Sequence, residues 1–183
     1  MVATEALKKD HRVIERVIGV LEKVAKKIDN GEEVSADVLK IAADFIRNFA
    51  DNYHHGKEED LLFKRMADRG FPVEGGPIGM MLVEHDEGRG YAKAMAEGAE
   101  KYAGGDAGAK KIFSENAKNY GDLLSQHIQK EDGILYMMAN NLIKEDEQQE
   151  LLNIFNIVEI EKLGEGGRQR YVDLVDELEK LVG

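Results

Sequence analysis

Long apolar stripes at helical spacing limit this chain's fold more than any other feature, and they run through four stretches that glycine and proline separate. Leu7, His11, Ile14, Ile18, Leu21, Ala25 and Ile28 follow one another at alternating steps of four and three, the seam of a helix packed in a bundle. Ile78, Met81, His85, Gly88, Ala92, Met95, Ala99 and Tyr102 repeat that rhythm, as do Phe113, Ala117, Tyr120, Leu124, His127, Glu131, Ile134 and Met138. Leu39, Ala43, Ile46, Ala50, His54, Glu58 and Leu61 are less regular but keep to steps of three and four. Nothing alternates in the manner of a strand. The signals predict helices from a Thr4 cap to about Ile28, from a Ser35 cap to Met66 or Ala67, from Pro77 to Tyr102, and from an Asp106 cap to about Leu142. Short polar connections between four long helices favour an all-α, antiparallel up-down four-helix bundle over residues 1–143. Residues 144–183 carry two further amphipathic patterns, Leu151/Ile154/Phe155/Val158 and Tyr171/Leu174/Val175/Leu178/Leu181. These are expected to be two additional C-terminal helices that pack on the bundle, on a second copy in a homodimer, or on another partner.

Each stripe is interrupted by a histidine, and two of them add a glutamate one turn later. His54-His-Gly-Lys-Glu-Glu-Asp-Leu-Leu-Phe63 aligns with His127-Ile-Gln-Lys-Glu-Asp-Gly-Ile-Leu-Tyr136, so the chain reads as two helical hairpins. Each hairpin gives one His from its first helix (His11, His85) and a His-x-x-x-Glu pair from its second (His54/Glu58, His127/Glu131). Residue counts from the turns bring all four histidines to a similar height. On an α-helix His55 lies about 100° around from His54, which reads as a surface or outer position together with Glu59. The same repeat prefers Glu131 over Asp132.

Four imidazoles and two carboxylates in an apolar seam need partners, because an unpaired buried charge costs several kcal/mol. Divalent cations satisfy them. A set of His11, His54, Glu58, His85, His127 and Glu131, with two carboxylates able to bridge, suits a pair of metal ions; imidazole plus carboxylate with open positions points to iron, with manganese or zinc behind it. Composition narrows the alternatives. With no Cys, thiolate chemistry and Cys-ligated metal sites are excluded. The 25 Lys+Arg against 36 Asp+Glu, a net charge of −11, argue against a nucleic-acid surface. No run approaches the roughly 18 apolar residues of a membrane span, so an acidic cytoplasmic protein with neither membrane nor nucleic acid as partner is expected.

Asp10-His11-Arg12, His54-His-x-Lys-Glu-Glu59, Glu84-His85-Asp-Glu-Gly-Arg89 and His127-x-x-Lys-Glu-Asp132 together resemble the hemerythrin-like (HHE cation-binding) family over about residues 4–142. The resemblance implies an antiparallel four-helix bundle around a non-haem di-iron centre with an oxo or hydroxo bridge, which meets O2 or a related small oxidant. Carried over, His11 and His127 would hold one iron, His54 and His85 the other, and Glu58 and Glu131 would bridge them. The oxygen-carrying members have a fifth His one turn from the third-helix ligand, where Met81 and Arg89 stand here. That difference moves the reading toward members with four His.

The leading expectation is thus a di-iron protein that binds or senses O2, NO or peroxide. The alternatives are a di-iron enzyme (peroxide or NO reduction, ferroxidase chemistry, iron-centre repair) and an iron-storage or structural metal module. Tyr53 and Tyr120 are the tyrosines expected near the site.

Overall fold

The computed structural model describes residues 2–183, and among these six helices form and no strand does. They are α1 (Ala3–Asp29), α2 (36–68), α3 (Pro77–Ala103), α4 (109–142), α5 (Glu145–Leu163) and α6 (Gly167–Val182). Their ends follow local chemistry. The Ser35 hydroxyl accepts the Asp37 N–H at 3.2 Å to cap α2, and Pro77 opens α3, where its missing N–H costs nothing. Two expected caps act differently. Thr4 lies inside α1 and gives its hydroxyl to Asn140 at 2.9 Å, while the Ala3 N–H finds Gln148 of α5 at 2.8 Å. A tertiary contact thus replaces the local cap. The Asp106 carboxylate accepts the Gly108 N–H at 3.0 Å, which closes a tight turn just before α4.

α2 and α4 are not uniform α-helices. Ile46–His55, Glu58–Leu62 and Glu131–Leu135 are π-helical. An i→i+5 hydrogen bond places an extra residue in the turn, so every later side chain rotates around the axis; such turns concentrate at functional sites. After Glu131 the expected stripe is therefore displaced. Ile134 and Met138 are 50% and 39% exposed, and Leu135, Tyr136 and Ala139 take the inner face. In α2, Leu62 is buried in place of Leu61.

α4 packs along both α1 and α3, and α2 packs along α3. α3 and α4 approach closely at Gly98, where a Cβ would meet the Phe113 backbone nitrogen at 3.0 Å and the Ala109 carbonyl at 3.2 Å. α6 lies on α1 and α2 and buries Val175, Leu178 and Val182; α5 lies across α2 with Leu151 and Phe155 inward. The interior divides into two apolar clusters. One runs from Val13 and Phe45 through Phe113 to Val182, the other from Leu7 and Leu62 through Met81 to Phe155. Between them lies a buried layer containing Asp10, His11, His54, His55, Lys57, Glu58, His85, His127 and Glu131.

Candidate metal centre

The apolar stripes pull four helices together, and their polar interruptions meet in that layer. α1 brings His11, α2 brings His54, His55 and Glu58, α3 brings His85, and α4 brings His127 and Glu131; none is more than 3% exposed. The ring centroids of His11 and His54 are 4.6 Å apart, those of His85 and His127 4.7 Å, and His55 stacks on His85 at 3.8 Å. The donor atoms form two groups, His11/His54/Glu58/Glu131 and His55/Glu58/His85/His127, and within each they lie no more than 4.8 Å from one another. Glu58 belongs to both, its Oε2 lying 3.6 Å from His54 Nε2 and 3.5 Å from His85 Nε2. Glu131 Oε2 is 3.2 Å from Nε2 of both His11 and His127.

These donors fit a cation and little else. His54 Nε2, Glu58 Oε2 and both Glu131 oxygens are buried without a hydrogen-bond partner, an uncommon condition for protein interiors. The His85 and His127 Nε2 atoms face each other at 3.1 Å. Their Nδ1 atoms donate to the carboxylates of Glu59 at 2.7 Å and Glu84 at 2.9 Å. A carboxylate only accepts, so each Nδ1 carries a proton, and the facing Nε2 atoms can share at most one more. Burial opposes charge on His127, but Glu131 and Glu84 outweigh it and favour that proton on His127. A cation between the two rings would take the proton's place.

The same outward arrangement recurs around the layer. His11 Nδ1 donates to Asp132 at 2.8 Å, while His54 and His55 face Asp10 and Asp51 across 3.6 Å. Each of these acids has its own cation: Arg12 on Asp132, Lys130 on Glu84, Arg89 on both Glu59 and Asp51, Lys57 and Arg168 on Asp10. Carboxylates behind imidazoles fix ring orientation and tautomer and raise the basicity of the inward nitrogen.

Burial sets the charge states. It drives His54 down to about 4 and His85 down to about 3, the latter with help from His55, and holds His55 well below the ordinary value. These three imidazoles are neutral and ready to coordinate. Burial also opposes charge on His11, but its hydrogen bond to Asp132 and the nearby Glu131 carboxylate outweigh it and raise its pKa to about 9. Burial and the neighbouring Glu131 charge push Glu58 well above the carboxylate range. Glu131 moves the other way, because His127 and His11 overcome the effect of its burial.

All six side chains expected from the sequence lie in the layer, but their grouping differs from the expected pairs. His11 stands with His54, not His127, and His85 stands with His127. His55, expected at the surface or in an outer position, is the seventh member, because the π-turn ending at His55 reduces the rotation between neighbours below the α-helical angle. The fifth imidazole thus comes from α2, while Met81 joins the apolar cluster and Arg89 steers two of the acids.

Tyr136 was hidden for the same reason. Its phenol donates to Glu58 Oε1 and lies 3.3 Å from His11 Nε2, and its ring is parallel to that of His11 at 5.5 Å. Phe63, its counterpart in the internal repeat, stacks on His85 at 6.1 Å. The repeat motif therefore marked both aromatics, but not the hydroxyl that separates the two halves. Tyr53 sits beneath the Lys57 ammonium at 3.7 Å, and Tyr120 packs in the apolar cluster near Gly88. A Tyr136→Phe variant should lose about 1–3 kcal/mol of cation-free stability in urea unfolding, since the buried Glu58 carboxyl loses its donor. An unchanged midpoint would show that this hydrogen bond is not formed in solution.

Fold and site together define an all-helical protein with a buried cluster suited to cations. The hemerythrin HHE cation-binding domain matches residues 2–139, and the chain belongs to that family. It is similar to the uncharacterized protein Rv1995 of Mycobacterium tuberculosis (strain ATCC 25618 / H37Rv), with 23% identity over 181 residues, 99% of this chain and 70% of that protein. The uncharacterized protein Mb2018 of Mycobacterium bovis is similar to the same degree, 23% over 181 residues with the same coverage. No solved structure matches. No helix among the described residues is long and apolar enough to cross a membrane.

Proposed function

We propose that this chain is a non-haem di-iron protein that binds or senses O2 or a related small oxidant, NO or peroxide. In this reading residues 1–143 form an antiparallel four-helix metal-binding bundle, with residues 144–183 as its C-terminal extension. The observation that carries it is the pair of overlapping donor groups joined by Glu58, with four carboxylate and imidazole atoms left unpaired at their centre. One group supplies three imidazoles and Glu58; the other supplies two imidazoles, both glutamates and a neighbouring phenol. Unequal donor sets with few anionic ligands leave coordination positions free, and a pair of irons bound there would supply redox centres at which a small oxidant can be held.

The chain's own groups prepare that chemistry. Glu59, Glu84 and Asp132 hold three rings with their inward nitrogens aimed at the centre. Leu7, Leu62, Met81 and Leu135 wall off one side against water. Tyr136 offers a buried O–H within the layer, and this favours a second reading, a di-iron enzyme that reduces peroxide or NO with Tyr136 as a local proton donor.

Metal analysis of aerobically purified protein should find about two irons per chain, as two complete donor groups require. Anaerobic reduction followed by O2, NO or peroxide should then alter the iron charge-transfer bands. A spectrum indifferent to all three overturns the binding-and-sensing reading. Turnover of peroxide or NO that disappears in His54→Ala would establish the enzymatic one.

A further inference from the structure

Asp10 differs from the other acids behind the histidines. Asp132, Glu59, Glu84 and Asp51 take their cations from α1, α3 and α4. Asp10 takes one from α6. Arg168 Nε donates to Asp10 Oδ1 at 2.8 Å, and its Nη2 donates to the Lys9 carbonyl at 3.0 Å, so one guanidinium grips two successive residues of α1. Asp10 Oδ2 faces both the Lys57 ammonium and, at 3.6 Å, His54 Nδ1. Among the contacts described, Arg168 alone holds Oδ1, and it thereby fixes the rotation of a carboxylate that is 1% exposed.

We propose that Arg168 is a positioning residue for the candidate metal centre: through Asp10 it sets the orientation of His54, so that the seating of α6 tunes one half of the site. This rests on the metal-centre reading above. The linkage is sensitive because it is loose. His11, His85 and His127 sit 2.7–2.9 Å from their acids, whereas His54 Nδ1 lies beyond hydrogen-bond reach of Asp10 and has no other partner. A few tenths of an ångström at Asp10 therefore decide whether His54 is a held or a free ring. Room for such movement exists, since a cavity of about 440 Å³ adjoins Asp10, Lys57 and Arg168 and is also lined by Phe155 and Asn156 of α5. A rigid planar fork suits this role; a lysine reaches only one of the two acceptors.

A second arginine provides the control. Arg16 also ties α1 to α6, through Glu179 at 2.9 Å and Asp176 at 2.5 Å, but touches no acid of the site. The test compares Arg168→Ala, Arg168→Lys and Arg16→Ala as cation-free proteins of matched helix content. Each is titrated anaerobically with Fe(II) against a competing chelator, and with Co(II), whose visible bands report ligand geometry. Arg168→Ala should weaken the more labile of the two cations about tenfold, the lower end of what outer partners of metal ligands cost, and should change the Co(II) bands. Arg168→Lys should fall between it and the wild type, and Arg16→Ala should match the wild type in both readouts. Equal effects of the two alanine variants would reduce Arg168 to a docking contact and overturn the proposal. A lysine variant no better than alanine would overturn it too. Should the wild type take up neither metal, the metal-centre reading itself fails and this inference with it; two cations in the wild type with no Arg168-specific effect sinks only the inference.

Discussion

With two irons bound as proposed above, Glu58→Ala is expected to strip both from the protein. Glu58 is the one side chain shared by both donor groups, and one of its oxygens lies about equally far from His54 and His85, 3.6 and 3.5 Å. Its loss removes an anionic ligand from each half at once. Affinity should fall by more than the roughly 100-fold that loss of an outer partner can cost, and iron content after gel filtration should drop toward zero. Glu59→Ala is the useful contrast: Glu59 touches only His85 and Arg89, so that variant should retain iron with weakened affinity. Glu58→Gln preserves the volume of the buried side chain, and because burial already favours the neutral acid there, it should fold as the wild type does. Full iron occupancy with unaltered absorption in Glu58→Ala would contradict the shared-ligand geometry.

Asp10→Asn should produce the largest loss of stability. Asp10 is held far below the ordinary carboxylate range: burial opposes its charge, but the Lys57 ammonium outweighs it. Lys57 is equally buried, 1% exposed, and burial lowers its pKa. Asparagine leaves that buried ammonium without its anion, while the Arg168 guanidinium keeps access to water. Breaking one side of a buried ion pair costs about 3–5 kcal/mol, which for a chain of this size lowers Tm on the order of 10 °C. The double variant Asp10→Asn/Lys57→Met should recover much of the loss, since no buried ammonium is then left without an anion and contacting residues are not additive. A loss below about 1 kcal/mol in the single variant would mean that the pair carries little of the fold's stability.

How far the sequence reveals such groups depends on how local their cause is. His11, His85 and the stripes of α1 and α3 sit on regular helices, where a period of 3.6 turns position directly into direction. His54/Glu58 and His127/Glu131 stood out because an i, i+4 pair shares one face. The acids behind the rings could be read as Asp or Glu near each histidine, but not by role. Asp10 precedes His11 in sequence yet serves His54, and Asp132 follows Glu131 yet serves His11.

The sequence by itself determined the helical class, the four long helices and the inward direction of six His and Glu side chains, because each follows from residue types at fixed spacing on one helix. The tertiary structure alone decided the π-turns, and through them His55, Tyr136 and the partition of donors into two groups. A π-turn trades regular backbone hydrogen bonds for better packing elsewhere, and only the assembled interior decides where that trade is favourable. It also decided where α5 and α6 lie, and so that a guanidinium from residue 168 meets a carboxylate at residue 10: an amphipathic stripe says that a face will be buried, not against which neighbour.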